Sequence, residues 1–248
     1  MNLEDKVKQF FTEFGLTARK IPESHEKSPD FEIKDDLSIL VEVKEKLDDE
    51  ELKKKIDSSL SQSGLYEGSE TFEGQRRYKS IFKHAVKQLQ IQKEKTNSDL
   101  CFIFIVMSGH SQKSQREQTF ASLYGARSIV PNGGIAKHCL YMTFSDFFKY
   151  KDTLDGVFII YNGIINLLIN DKSPNYATAI NSAFVNKFQK FLFDPTKQER
   201  EGYVYYCDSE IPRANENELQ DYVFNKYEIP ERSFVHYFEN HIVHSVVE

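Results

Sequence analysis

Ser28-Pro29-Asp30-Phe31-Glu32-Ile33-Lys34-Asp35-Asp36-Leu37-Ser38-Ile39-Leu40-Val41-Glu42-Val43-Lys44 is the stretch on which the reading of this chain turns. Pro29 to Ile33 and Leu37 to Lys44 both read as strands, joined through the turn-prone pair Asp35-Asp36. Side chains alternate across a strand, so Glu42 and Lys44 share one face while Val41 and Val43 take the other. With the hairpin centred on Asp36, Asp30 stands directly opposite Glu42, their Cβ atoms about 5 Å apart. Two carboxylates that close repel each other unless a cation sits between them. Hard oxygen ligands with open positions suit Mg²⁺ (or Mn²⁺), since Mg²⁺ is held by few carboxylates and keeps waters for a substrate phosphate. Lys44 beside such a metal would orient and help deprotonate an attacking water. Glu-x-Lys alone carries little weight, because it recurs at Glu4, Glu32, Glu42 and Glu51. Only Glu42 ends an apolar β-run and follows a Pro-Asp strand at the matching distance.

Working outward, Leu3, Val7, Phe10, Phe11 and Phe14 recur at helical spacing, with Gly15 as the stop. Leu16 to Ile21 reads as a short strand, followed by a polar loop. Leu47 to Leu60 reads as a helix capped near Asp48 or Asp49, and residues 61–74, with three glycines and three serines, as a mobile loop. A long helix from Gln75 to about Lys95 buries Tyr78, Ile81, Phe82, Ala85, Val86 and Leu89. The apolar run Leu100 to Met107 suits a central strand buried on both faces. Farther on, Tyr161-Asn162-Gly163 between apolar runs predicts a type I′ hairpin. Ser173-Pro174 opens a helix to about Phe193, closed by Asp194-Pro195, and Glu216 to Tyr227 reads as a last helix. The expectation is an α/β fold, a mixed central sheet flanked by helices. Residues 1–110 would form its core, and 111–248 an α/β extension completing or decorating the same domain.

The chain has 248 residues, 40% of them hydrophobic and 28% charged, enough apolar content for a real core and against wholesale disorder. Its longest apolar run falls far short of the ~20 residues that span a bilayer. The charged start Met1-Asn2-Leu3-Glu4-Asp5-Lys6 lacks an apolar signal region. Three scattered cysteines make neither a disulfide framework nor a zinc knuckle. A reduced, cytoplasmic protein with no membrane partner is therefore expected. A net charge of -6 removes the simplest argument for nucleic-acid binding, a basic domain. Yet Arg76, Arg77, Lys79, Lys83 and Lys87 share one face of the long helix and would grip a phosphate backbone; a merely solvated helix face is an equal reading.

Pro29-Asp30 followed by Glu42-Val43-Lys44 resembles the PD-(D/E)XK nuclease superfamily. The helix–strand–strand–strand–helix–strand order of residues 3–107 resembles that superfamily's restriction-endonuclease-like core. Within it, the first third is similar to archaeal Holliday-junction resolvases: Glu4 opens the first helix, Gly15 ends it, Arg19 lies on the next strand, and Ser24 precedes Pro29-Asp30. The resemblance implies that Asp30 and Glu42 bind the metal, that Lys44 assists the nucleophile, and that Glu4 supplies an outer carboxylate. Gln88, in Ala85-Val86-Lys87-Gln88-Leu89, is like the polar residue that many members aim at the site from the helix after Glu-x-Lys. The inserted segment 47–74 and the negative net charge depart from the compact, basic resolvase dimers. The implied activity is a Mg²⁺- or Mn²⁺-dependent DNA endonuclease of restriction, defence or repair, with residues 111–248 shaping substrate choice or homodimerisation. The alternative is a non-catalytic nucleic-acid-binding or assembly module that retains the nuclease-like fold.

Overall fold

A computed structural model describes residues 2–22, 28–71, 76–132, 134–230, 234–236 and 239–245. In chain order the elements begin with α1 (Leu3–Glu13), β1 (Ala18–Lys20), β2 (Phe31–Lys34), β3 (Ser38–Lys46), α2 (Glu50–Ser63), β4 (Leu65–Thr71), α3 (Arg76–Thr96) and β5 (Leu100–Met107). Then come α4 (Gln112–Tyr124), β6 (Arg127–Val130), β7 (Lys137–Leu140), α5 (Asp146–Lys149), β8 (Gly156–Tyr161), β9 (Ile164–Ile169), α6 (Tyr176–Asn181) and α7 (Ala183–Lys187). A 3-10 turn over Gln189–Phe191 leads to β10 (Leu192–Phe193), α8 (Pro195–Arg200), β11 (Tyr205–Tyr206), α9 (Glu216–Lys226), β12 (Phe234–His236) and β13 (Glu239–Ser245). No helix among the described residues is long and apolar enough to cross a membrane.

The chain divides into two units, each drawn from three separate segments: 1–45, 76–106 and 147–194 in one, 46–75, 107–146 and 195–248 in the other. β8 and β9, from beyond residue 110, join the same sheet as β5.

The first unit is α/β, built on a mixed sheet in the order β1-β2-β3-β5-β8-β9-β10. β1, β2 and β3 pair antiparallel, β5 and β8 parallel, and β8 and β9 antiparallel. Alternation sorts the two faces. Ile39, Val41, Phe102 and Phe104 point to one side, where they meet Val7 and Phe11 of α1 and Phe184 and Phe188 of the α7 region. Phe188 is the hub of that layer, with ring centroids 4.6 Å from Phe14, 4.9 Å from Phe158 and 5.5 Å from Phe184. Rings at such separations in tilted or edge-on array add to the burial energy that holds the layer together. On the other side, where Leu40, Cys101 and Ile103 point, α3 buries Phe82, Ala85 and Leu89. The turn 162–163 matches the hairpin predicted from Asn162-Gly163. Tyr161 pairs with Ile164, and φ is +46° at Asn162 and +74° at Gly163, the two positive values a type I′ turn demands.

The second unit holds a four-stranded sheet, β11-β7-β6-β12, and a two-stranded ribbon, β13-β4. Asp49 caps α2 by accepting from the N–H of Glu51 at 2.9 Å. The neighbouring Asp48 accepts from the N–H groups of His110 at 2.6 Å and Ser111 at 3.2 Å, tying the start of α2 to the start of α4. Gly109, at φ +99°, sits so close to the Asp48 carboxylate that a Cβ there would collide with it.

Two segments differ from the sequence expectation. Within the stretch read as a loop, Leu65–Thr71 forms β4, whose antiparallel partner is β13 at the far end of the chain. A two-stranded ribbon of mainly polar residues leaves no apolar periodicity to read, and its partner is invisible locally. The single helix expected from 173 to 193 is broken. Ser182 is extended (φ -68°, ψ 149°), and its hydroxyl accepts from Val185 N–H while donating to the Ala179 carbonyl. It thus ends α6 and caps α7 at once. Pro195 opens α8 instead of only closing what precedes it.

Candidate metal-binding and catalytic site

The β2–β3 hairpin sets the geometry. Its register runs Phe31↔Val41, Glu32↔Leu40, Ile33↔Ile39 and Lys34↔Ser38, fixed because a slip by one residue would throw Phe31, Ile33, Ile39 and Val41 out of the core. Carried one step farther, the same register puts Asp30 opposite Glu42, on the face turned toward α3. The Asp30 Oδ2 accepts from Val43 N–H at 2.7 Å, locking the acid to the partner strand.

Glu42 is only 1% exposed. Its Oε1 takes a hydrogen bond from the Lys44 ammonium, while its Oε2 is buried with no hydrogen-bond partner among the described residues. A half-satisfied buried carboxylate is costly, and its proton affinity reflects that. Burial, then the Asp30 charge, push Glu42 up to about 7, with Lys44 pulling the other way. Asp30 is also raised, chiefly by burial, with Glu4 adding to the effect and the Val43 N–H and Lys44 opposing it. Two acids that both resist ionisation, side by side, form a site short of positive charge.

Glu4 lies close enough to act on Asp30 electrostatically, but its Oε2 is held by Lys20 at 2.5 Å. Among the described residues no three histidine, cysteine or carboxylate side chains converge as a closed metal cage. The pair Asp30–Glu42, with one oxygen left over, instead fits a hard cation that retains most of its waters. Those two residues would hold it; Glu4 stands outside.

Gln88 reaches down from α3 and donates from Nε2 to the Ser28 carbonyl at 3.0 Å, so it positions the turn into Asp30. Together with Lys44, His84, Lys87 and Ile91 it also lines an open cavity of about 900 Å³. The Lys44 side chain, 27% exposed, links the buried acid to that cavity. Of the basic face expected on α3, Lys83 and Lys87 are exposed. Arg76, Arg77 and Lys79 lie on the first turn with their side chains outside the described residues, as Ser24 is altogether. Arg19 is paired across the strands with Glu32 at 2.6 Å.

No family model, no curated protein and no solved structure matches the chain. The geometry therefore stands on its own.

Sequence reasoning missed the residues that extend this side of the sheet beyond α3. Lys149 and Tyr150, at the end of α5, share a smaller cavity with Lys83 and Lys87. No local pattern around residue 149 marks them, since the juxtaposition exists only once β8 has paired with β5.

Proposed function

We propose that the chain is a divalent-metal-dependent endodeoxyribonuclease with a restriction-endonuclease-like core of the PD-(D/E)XK kind. The single observation that carries the reading is the facing pair Asp30–Glu42, with an unbonded buried oxygen on Glu42 and Lys44, bonded to its other oxygen, among the residues that line a large cavity. Bound to the two acids, Mg²⁺ or Mn²⁺ would polarise a scissile phosphate and favour ionisation of a nearby water. Lys44 then orients that water and offsets the negative charge that grows on the phosphate oxygens. A water oxygen bonds to phosphorus, the phosphorus–oxygen bond to the sugar breaks, and the proton the water loses reaches the leaving oxygen through solvent. Gln88 keeps Asp30 in register, and Lys87 offers the adjacent backbone a counter-charge. The test is nicking of supercoiled plasmid with Mg²⁺ or Mn²⁺. Asp30→Asn and Lys44→Ala are each expected to lower the rate at least 100-fold; nicking that survives both removes the reading.

A second reading, a nucleic-acid-binding or assembly module without chemistry, is favoured by one observation. The Lys44 ammonium already pairs with one Glu42 oxygen. Metal titration by calorimetry separates the two: heat from Mg²⁺ or Mn²⁺ binding that vanishes in Asp30→Asn supports the enzyme, and no heat supports the module.

A further inference from the structure

Three lysines from two separate stretches of sequence surround one hollow. A cavity of about 310 Å³ is walled by Lys83 and Lys87 of α3 and by Lys149, Tyr150, Asp152 and Thr153 at and beyond the end of α5. Lys83 and Lys87, one helical turn apart, repel each other; Lys149, its ammonium 4.7 Å from the centre of the Tyr150 ring, adds a third amine to a lining whose carboxylate is that of Asp152. The Tyr150 hydroxyl is buried without a hydrogen-bond partner among the described residues. Such a gathering becomes favourable when an anion sits in it. Lys87 also lines the larger cavity, whose charged residues are Lys44, Lys87, Glu94 and Lys95, so the two hollows share a wall and carry a surplus of lysines on a chain of net charge -6.

We propose that a DNA backbone lying in the cavity lined by Lys44 and Gln88 follows α3 and seats a second phosphate among Lys83, Lys87 and Lys149. The choice of DNA rests on the nuclease reading, but the claim concerns binding. An isolated pocket for a free anion would have no reason to share Lys87 with the cavity that Lys44 lines. A strand of regularly spaced phosphates does, and its grip is read through counterion release.

The experiment uses the full chain in EDTA, so that no cleavage intervenes. A fluorescein-labelled 30-base-pair duplex is titrated by anisotropy from 50 to 200 mM KCl. Lys83→Ala and Lys149→Ala are each expected to weaken binding about 3- to 10-fold at low salt and to lower the slope of log affinity against log salt by about one. Lys149→Arg should restore both. Lys190→Ala, on the 3-10 turn of the opposite sheet face, should match the parent. The proposal is overturned if Lys149→Ala keeps the parent slope, if Lys190→Ala loses as much, if inorganic phosphate binds at Lys149 while duplex affinity ignores that residue, or if the parent does not bind the duplex at all. Nicking is scored separately: a parent that binds with the expected slopes yet never nicks keeps this phosphate seat and sinks the nuclease reading.

Discussion

Glu42 holds a proton near neutrality because its carboxyl is buried beside a second acid and, among the described residues, has one hydrogen-bond partner, Lys44. That fixes the sign of a pH effect. Unfolded, the group returns to its ordinary value of 4.5, whereas folded it titrates at about 7. Between those limits the folded chain binds a proton that the unfolded chain has released, so stability falls as pH rises through the window. Asp30, also raised, pushes the same way. The loss for Glu42 is at most about 3.5 kcal/mol, from a shift of this size at ~1.4 kcal/mol per unit. In EDTA, urea midpoints should therefore drop from pH 5 to pH 8, and Glu42→Gln should flatten that slope and be the more stable protein at pH 8. Because a metal takes the ionised acids, Mg²⁺ should raise the melting temperature of the parent more at pH 8 than at pH 6. An unchanged pH slope in Glu42→Gln would show that the buried acid is not what titrates.

At the scale of elements, what the sequence made legible is what local alternation and turn chemistry dictate. The β2–β3 register could be read because Phe31, Ile33, Ile39 and Val41 admit one inward pairing, and that pairing aligned Asp30 with Glu42 without further information. The spacing of Val7 and Phe11 marked α1 for the same reason, and β5 announced itself as an unbroken apolar run. What resisted reading depends on partners far along the chain: β4 needs β13, and the cavity at Lys149 needs the β5–β8 ladder. The break at Ser182 is a subtler case. Ile180, Phe184 and Phe188 keep a helical period that overrides the polar pair Asn181-Ser182 on paper, yet the buried hydroxyl of Ser182 wins by satisfying both a helix start and a helix end. Removing it tests that account. Ser182→Ala should cost about 1 kcal/mol, the usual worth of such a cap, while Phe188→Ala, which empties the hub of the phenylalanine layer, should cost about 3–5 kcal/mol. Both are read as shifts in urea midpoint. A Ser182→Ala protein as stable as the parent would mean that the α6–α7 break is set by packing rather than by the cap.

Across the whole molecule, each unit is stitched from three pieces of chain, so neither can be obtained by cutting once. A cut after residue 110 keeps every residue of the candidate site: Glu4, Asp30, Glu42, Lys44 and Gln88. It nevertheless removes β8, β9 and β10 from the sheet, leaving β5 as a raw edge whose parallel partner is gone. It also strips Phe158, Phe184 and Phe188 from the face they share with Phe11, Phe102 and Phe104. Several large side chains would then be left against water, each worth roughly 1.5–3 kcal/mol when buried. Against a typical net stability of about 5–15 kcal/mol, that is enough to unfold the fragment. The buried carboxylate of Asp155, which accepts from Cys101 N–H at 2.8 Å and from the Ser173 hydroxyl at 2.5 Å, would leave Cys101 with an unanswered amide as well. Residues 1–110 alone should consequently show no cooperative melt, should bind a hydrophobic dye, and should neither bind Mg²⁺ nor nick plasmid, although the motif is intact. A fragment that melts sharply and nicks would place the whole catalytic apparatus within the first 110 residues and reduce the rest of the sheet to decoration.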